Sequence, residues 1–225
     1  MIDDPHPSPD AAGRAGPSIR ACTLADLDGV AALHLAAFPE SVLGQLGREA
    51  VRRSYRWQLE GPHDLTALVA EEHGRLDGFL FGGVFRGSTI GFLKREKWFL
   101  ARKVALHPRL LLHQAGWDRL ALAGRLLTRR FSTPTTVEQP AAIPPRSFGV
   151  LAIGVDPALQ RSGVGRALMN RAESIARADG FERMHLTVHP GNSAAVAFYE
   201  GQGWTRRPGP DGVWAGQMSR PLSDP

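Results

Sequence analysis

The segment FGVLAIGVDPALQRSGVGRAL, residues 148–168, decides the fold. An apolar run leads into a turn that contains two glycines, and the turn opens directly onto a helical pattern. The pattern predicts a buried strand over Phe148–Val155 and a helix over Gly163–Ala178. A strand that ends at the N-terminus of a helix is typical of an α/β protein.

The start of this helix is suited to binding an anion. The first amides of a helix have no intrahelical acceptor, and the helix dipole places partial positive charge beside them. Gly163 and Gly165 keep side chains away from a bound phosphate. Arg161 and Arg166 add positive charge, and Gln160 can hydrogen-bond the loop. A short glycine motif also suits a plain connection between a strand and a helix, so the turn alone does not decide the function.

Two other phosphate-binding motifs do not match this turn. A nucleotide P-loop needs Lys-Ser or Lys-Thr after its second glycine, whereas Arg166 and Ala167 follow here. A dinucleotide fingerprint needs a small residue at the position of Leu168 and a ribose-binding acid about 20 residues further on, and both are missing.

A second motif lies in the stretch PGNSAAVAFYEGQGW, residues 190–204, after a predicted strand over Arg183–His189. Asn192 occupies the N-cap position of a predicted helix over Asn192–Gln202, and Tyr199 projects from nearly the same face about two turns later. Taken singly, the asparagine is a helix cap and the tyrosine is a core aromatic. Together, and at this distance after the first motif, they indicate a ligand site.

The GNAT superfamily of N-acetyltransferases is the family that these two motifs resemble. The matching pattern is Gln160-x-x-Gly163-x-Gly165 followed by Asn192-x-x-Ala195-x-x-x-Tyr199-x-x-x-Gly203-Trp204. The resemblance is specific over residues 148–205, loose over 18–85 and absent from 86–147. It implies an α/β fold with a mixed, mostly antiparallel sheet, splayed central strands and flanking helices, to which the residues of the unmatched segment add a helical insertion.

The same resemblance implies acetyl-CoA as co-substrate and no metal. Backbone groups of two strand residues would pair with pantetheine, the amides of the turn would hold the pyrophosphate, and the N-cap asparagine would contact the cofactor chain. The cofactor-binding residues implied in this way are Ile153, Val155, Gln160, Arg161, Ser162, Gly163, Val164, Gly165, Arg166 and Asn192. Tyr199 resembles the family's general acid, and a phenol stays protonated at neutral pH and can donate a proton to a departing thiolate.

The sequence leaves the general base unassigned. Many family members place a glutamate on the strand that corresponds to Phe148–Val155, and here that strand has no acidic residue. His185 and His189 lie on the next predicted strand, on one face but roughly 13 Å apart, so they cannot share a metal ion. Either histidine can act as a base, and a purely structural role is favoured more for His185 than for His189. Further candidates are Glu40, Glu71 and Glu72.

The composition predicts one domain. The chain has 225 residues, of which 43% are hydrophobic, enough for a single domain over residues 18–225 after a proline-rich, disordered tail over 1–17. No apolar run approaches the ~20 residues of a membrane-spanning helix, and no signal-peptide pattern is present. Cys22 is the only cysteine, so it forms no intrachain disulfide and is expected to pack in the core. These features lead us to expect a cytoplasmic protein.

Positive charge is concentrated in one segment. Residues 86–130 contain eleven basic and two acidic residues, a net charge of +9, whereas the whole chain has +5. The pattern predicts a basic helical insertion over 87–130, interrupted at Pro108, and a proline-rich linker over 131–147. The insertion suits a lid whose basic groups hold an anionic acceptor, and it equally suits a solvated helical pair. Peripheral membrane contact also stays open, although the arginines are scattered around the helices.

The sequence therefore predicts an enzyme that transfers an acetyl group from acetyl-CoA to a primary amine of a small molecule. An aminosugar or a nucleotide-linked aminosugar is the expected acceptor, and it would attack the thioester directly in a ternary complex. One alternative is a non-catalytic acyl-CoA-binding regulatory module, which the missing strand carboxylate favours. A nucleic-acid-binding protein that uses the basic insertion is a weaker alternative, because the aromatic residues there suit a helical core at least as well. The oligomeric state is not predicted.

Overall fold

A computed structural model describes residues 17–85, 88–106, 146–209 and 211–222. Its strands are β1 Ser18–Ala21, β2 Asp64–Glu72, β3 Arg75–Val84, β4 Ser147–Val155, β5 Arg183–Thr187, β6 Thr205–Arg206 and β7 Gln217–Pro221. Its helices are α1 Leu27–Ala37, α2 Val42–Gln45, α3 Arg48–Glu60, α4 Ser88–Arg95, α5 Lys97–Leu106, α6 Val164–Ala178 and α7 Ser193–Glu200.

The strands of the described ranges form one sheet in the order β1-β2-β3-β4-β5-β7-β6. Only the β4–β5 pair is parallel, and each other neighbouring pair is antiparallel. The predicted mixed, mostly antiparallel sheet is therefore confirmed. The hairpin between β2 and β3 turns at His73 and Gly74, whose φ angles of 52° and 76° lie in the left-handed region that tight hairpin turns require.

The β4–β5 pair is short, and the two strands then diverge. Their register begins at Ser147 opposite Arg183 and ends at Val150 opposite Leu186, so four residue pairs join them. On its other side β4 remains paired with β3 as far as Val155, with a bulge that leaves out Leu151. The predicted splay of the central strands is confirmed.

The sheet carries a separate apolar core on each face. Alternation along β3 directs Leu80 into the core beneath α6 and α7, and Phe79 and Phe81 into the core beneath α1 and α3. All three side chains are fully buried. Burial of an apolar side chain of this size contributes about 1.5–3 kcal/mol, so the two cores hold both helical layers on the sheet.

Several predicted boundaries differ from the structure. The stripe of Val51, Tyr55 and Leu59 predicts a helix over Leu46–Leu59, and the structure has α3 there, which begins at Arg48 after Gly47 adopts a φ of 91°. The segment before it forms the short α2, which Ser41 caps. The sequence also predicts a strand over Val213–Met218, but β7 begins only at Gln217, because the amide of residue 209 donates to the carbonyl of residue 213 and closes a turn there.

The basic insertion is described only in part. It is helical over α4 and α5, as predicted, and Glu96 separates the two helices. Pro108 and the rest of the insertion lie outside the described residues, as do most of the predicted linker over 131–147 and the predicted tail over 1–17. The domain boundaries therefore stay predictions.

Candidate active site

The turn between β4 and α6 is built from local hydrogen bonds and left-handed residues. The Asp156 carboxylate accepts a hydrogen bond from the Ala158 amide at 2.9 Å and starts a short 3₁₀ turn over Pro157–Leu159. Arg161 and Gly163 then adopt φ angles of 66° and 96°. A Cβ on Gly163 would meet no atom within 4 Å, so backbone conformation rather than space favours glycine there.

The N-terminus of α6 presents free amides to solvent. The four consecutive amides of Gly163–Arg166 have no acceptor in the described part of the chain, and Ala167 is the first to donate, to the Gly163 carbonyl at 2.9 Å. Arg161 and Arg166 are exposed beside them, and neither has a carboxylate partner within the described ranges. Amides, helix dipole and two cations without a described carboxylate partner make this turn suited to an anion, and it is called the anion site below.

The other predicted residues of the turn fix its position. The Ser162 hydroxyl donates to a carbonyl within the turn at 2.6 Å, and Gln160 is exposed. Val164 is buried in the core. A Cβ on Gly165 would lie 3.4 Å from the ring of Phe198, so the start of α6 lies directly against α7. The structure thereby brings the two sequence motifs together.

The divergence of β4 and β5 opens a gap beside this turn. Ile153 and Val155 lie on the part of β4 that has no β5 partner, and both are half-buried against the core of α6 and α7. Beyond the end of β5, the Val188 amide donates to the Gly216 carbonyl at 2.9 Å, so the chain there pairs with the segment that leads into β7 and turns away from β4. Backbone groups on the β4 edge that faces the gap can therefore pair with an extended ligand that lies along the strand.

Asn192 and Tyr199 occupy the two ends of α7. The Asn192 side chain accepts from the Ala195 amide at 3.1 Å, which confirms the predicted N-cap, and the residue is exposed. Tyr199 is 8% exposed and packs against Phe198 and Trp204, with ring centroids 5.2 and 5.7 Å away. Its hydroxyl makes no hydrogen bond to a described residue, and burial raises the pKa of the phenol to about 12.

Residues 124–204 match the sequence model of the Acetyltransferase (GNAT) family. This stretch, just over a third of the chain, is therefore similar to the GNAT family and contains both sequence motifs. Among curated relatives, a mycothiol acetyltransferase of Beutenbergia cavernae is 45% identical over 56 residues, which are 25% of this chain and 19% of that protein. The N-alpha-acetyltransferase RimI of Mycobacterium tuberculosis is 40% identical over 63 residues, 28% of this chain and 38% of that protein. The chain thus spans well under half the length of these relatives.

Solved structures share the fold over about nine-tenths of the chain. The ribosomal-protein-S18-alanine N-acetyltransferase of Escherichia coli has a TM-score of 0.53 and 18% identity, over 92% of this chain and 95% of that one. The PaiA N-acetyltransferase of Thermoplasma acidophilum, in complex with coenzyme A, has a TM-score of 0.54 and 13% identity, over 91% and 98%. At these identities the likeness shows the fold alone.

The structure separates the two histidines that are candidate bases. β5 ends at Thr187, so His189 lies in the following turn, where it is exposed and its Nδ1 accepts from the Gly191 amide at 3.1 Å. His185 is half-buried on β5 opposite Gly149, and a Cβ on that glycine would lie 3.0 Å from the imidazole Nε2. Its Nδ1 is buried without a hydrogen-bond partner among the described residues, and burial lowers its pKa. The histidine that the sequence favoured less is therefore the one held in the sheet.

The three glutamates differ in their surroundings. Glu71 binds the Arg20 guanidinium, with Nε to Oε2 at 2.8 Å. Glu40 and Glu72 are exposed. Within the described ranges, no group of three or more His, Cys, Asp or Glu side chains could hold a metal ion. No described helix has the length and apolar character needed to cross a membrane.

A buried polar network lies on the opposite face of the sheet, and the sequence reading missed it. His34 Nδ1 lies 3.0 Å from the Tyr55 hydroxyl, and its Nε2 lies 3.0 Å from the Ser41 hydroxyl, which also accepts from the Gly44 amide. Burial lowers the pKa of His34 to about 4, so the ring is neutral at physiological pH. The available signal was that His34 and Tyr55, which both carry polar atoms, stand at core-facing positions of two helical stripes.

This network fixes the segment between α1 and α2 beside the site. Phe38 ends α1, and a Cβ built on Gly154 of β4 would lie 3.4 Å from the Phe38 ring. The segment between α1 and α2 therefore contacts the part of β4 that has no β5 partner, and it does so from the face of the sheet opposite the anion site.

Proposed function

We propose that this GNAT domain transfers an acetyl group from acetyl-CoA to a primary amine of a small molecule. The observation that carries the proposal is the anion site at Gly163–Arg166, placed at the end of a strand whose edge is open. A cofactor with a pyrophosphate and an amide-containing arm matches both features, because the first needs free N–H donors and the second needs an unpaired strand edge.

The chain's own residues suggest how the cofactor would be held. The pyrophosphate would accept hydrogen bonds from the four amides, with Arg161 and Arg166 beside it and Gln160 at the turn. The pantetheine arm would lie along β4 at Ile153 and Val155. Asn192 keeps its amide nitrogen for the cofactor, since its side-chain oxygen caps α7.

The proposed reaction is direct acyl transfer. The amine nitrogen forms a bond to the thioester carbonyl carbon, and the carbon–sulfur bond breaks. Tyr199 donates its proton to the departing sulfur, and a base or water accepts the proton of the amine. An amide of β4 near Ile153 that faces the gap can stabilise the developing oxyanion. Juxtaposition of the two substrates supplies much of the rate, and no covalent enzyme intermediate is needed.

Buried Tyr199 suits this role for a physical reason. Desolvation raises its pKa to about 12, so the phenol stays protonated across the working pH range. Its hydroxyl has no competing hydrogen bond to a described residue, which leaves the proton available to a ligand.

The proposal specifies the chemical class of the acceptor and does not name the compound. A small-molecule amine is our first candidate, supported by the mycothiol acetyltransferase name of several relatives, and the sequence favours an aminosugar within that class. The α-amine of a peptide is the second, supported by the relative named N-alpha-acetyltransferase.

The test combines cofactor binding with turnover. Calorimetric titration of coenzyme A into the protein should show binding, and acetyl-CoA should release free thiol in the presence of one class among simple amines, aminosugars and short peptides. A thiol reagent can follow the release, because Cys22 is buried and burial raises its pKa to about 12.

The two measurements separate the competing proposals. Absence of coenzyme A binding at millimolar concentration contradicts the central proposal. If coenzyme A binds but no amine in the panel causes thiol release, the result would instead support a non-catalytic acyl-CoA-binding module. The lack of a carboxylate on β4 favours that alternative.

A further inference from the structure

Helices α4 and α5 are fastened along the outer side of α3. The Gly91 backbone lies so close to Trp57 that a Cβ there would be 2.3 Å from the indole ring. Arg95 pairs with Glu60 at 2.7 Å, and its guanidinium lies 5.5 Å from the centroid of the Trp57 ring. These contacts take Arg95 out of the set of free cations in the basic insertion.

A cavity of about 460 Å³ lies between α3 and α5. Its lining consists of three cations and two aromatic rings: Arg53, Trp98, Phe99, Arg102 and Lys103. A volume in this range is typical of small-molecule sites, which combine apolar or aromatic walls with a few polar groups.

The cavity carries an excess of positive charge. Arg53 is compensated, since it pairs with Glu49 at 2.7 Å and with Glu96 at 2.6 Å. Arg102 and Lys103 have no carboxylate partner among the described residues. Two uncompensated cations at one cavity favour a ligand with negative charge, and a guanidinium beside an ammonium suits a phosphate group in particular.

The aromatic residues add a second requirement. Phe99 is half-buried and covered by the guanidinium of Arg53, at 4.4 Å from the ring centroid. Trp98 is 79% exposed at the rim, with the Lys97 ammonium 5.5 Å from its ring centroid. An exposed indole beside cations offers a flat surface on which a planar, electron-rich ring can stack.

The cavity also lies near the segment that reaches β4. A Cβ built on Gly47 would lie 3.7 Å from the Lys103 ammonium, and Gly47 separates α2 from α3. Helix α2 begins four residues after Phe38, and a Cβ built on Gly154 of β4 would lie 3.4 Å from the Phe38 ring. Helix α2 therefore connects the cavity to the segment that contacts β4.

We propose that this cavity binds a nucleoside diphosphate group, with the phosphates at Arg102 and Lys103 and the base against Trp98. The inference rests on the proposed function in one respect: the nucleotide would be the handle of the aminosugar acceptor. It replaces the broader expectation of a basic lid, because it selects two cations of α5 and leaves out Arg95, which is paired, and Lys94, which does not line the cavity.

The experiment uses uridine diphosphate as the probe and calorimetry as the readout. The titration is run with saturating coenzyme A, and again in Gly163→Glu, so that the anion site of α6 cannot bind the probe. Wild type with saturating coenzyme A and the Gly163→Glu variant should both bind the probe. The double variant R102A/K103A should weaken binding at least about tenfold, since it removes two charge-assisted contacts.

Matched variants separate the cavity from general charge. Lys94→Ala removes a cation of the same helical pair outside the cavity and should leave probe binding unchanged. Trp98→Ala should weaken probe binding several-fold, and Trp98→Phe should restore part of it by returning an aromatic ring. Coenzyme A affinity and the unfolding transition of each variant show whether the fold is retained.

Three outcomes would overturn the inference. The first is failure of wild type to bind the probe. The second is equal loss of affinity in Lys94→Ala and R102A/K103A. The third is sedimentation with phosphatidylserine vesicles that R102A/K103A abolishes, in the absence of probe binding, which would identify a membrane contact. None of these depends on turnover, so failure of the proposed function is recognised separately by the coenzyme A titration.

Discussion

The two faces of the sheet prepare for ligands by different means. On the face of α6 and α7, the anion site consists of backbone amides whose direction is set by the φ angles of Arg161 and Gly163. On the face of α1 and α3, side chains do the positioning, through His34 with its two hydroxyl partners and Arg53 with its two carboxylates. Backbone sites restrict the residue type at fixed positions, whereas side-chain networks depend on which helices happen to meet.

Tyr199→Phe tests whether the first face also carries the chemistry, and it has the largest expected effect. Loss of the hydroxyl should lower kcat by about 10²–10⁴-fold, the usual contribution of general acid catalysis. Coenzyme A affinity should change little, since the ring still packs against Phe198 and Trp204. Steady-state kinetics on an acceptor for which chemistry limits turnover, with calorimetry for the cofactor, measure both. An unaltered kcat would reduce the tyrosine to a packing residue.

Gly163→Glu tests the backbone site itself. The new carboxylate would stand beside the four amides, and coenzyme A affinity should fall by roughly 100-fold or more, about 3 kcal/mol. Gly180→Glu is the matched control, because Gly180 follows the other end of α6, has a φ of 76° and is also open to 4 Å. Both variants place a side chain at a φ in the left-handed region, and only the first should lose the cofactor. Equal coenzyme A affinities of the two variants in calorimetric titration would contradict the assignment of the anion site.

His34 tests the second face through the stability of the fold. Its pKa is about 4 in the folded protein against 6.5 in the reference state, so the unfolded chain binds more protons between these values. Its stabilising contribution is present above about pH 6.5 and is lost as the pH falls to about 4, by about 3 kcal/mol. Urea unfolding across this range should show a steeper loss in wild type than in His34→Gln, which keeps hydrogen-bonding groups. Parallel curves for the two proteins would show that the network is not the cause.

Sequence reasoning succeeded where local chemistry decides the conformation. The strand, the glycine turn and the cap of α7 all follow from residues within a few positions of one another, and Gly163 and Asn192 occupy the predicted places. The splay was implied by the resemblance, and the register of β4 against β5 confirms it. The roles of Tyr199 and of the individual cofactor-binding residues stay predictions.

The second face was hidden because its contacts are remote in sequence. His34 and Tyr55 are 21 positions apart, and Arg53 and Glu96 are 43 apart, so no periodic pattern links them. The end of β5 at Thr187 had a similar effect on the candidate bases: a strand drawn through His189 puts both histidines on one face, whereas the real strand holds only His185. Charge counting likewise could not separate Arg95, which is paired, from Arg102, which has no carboxylate partner among the described residues.

The four-residue seam between β4 and β5 has a consequence for the chemistry of anything that fills the gap. A sheet normally closes such an edge with another stretch of polypeptide, which offers a donor and an acceptor at regular spacing. A small molecule that lies there must imitate that polymer, with its own amide bonds set at intervals like those of a peptide. Selectivity for the carrier of an acyl group then depends on how closely the spacing of its amide groups matches that of a polypeptide strand.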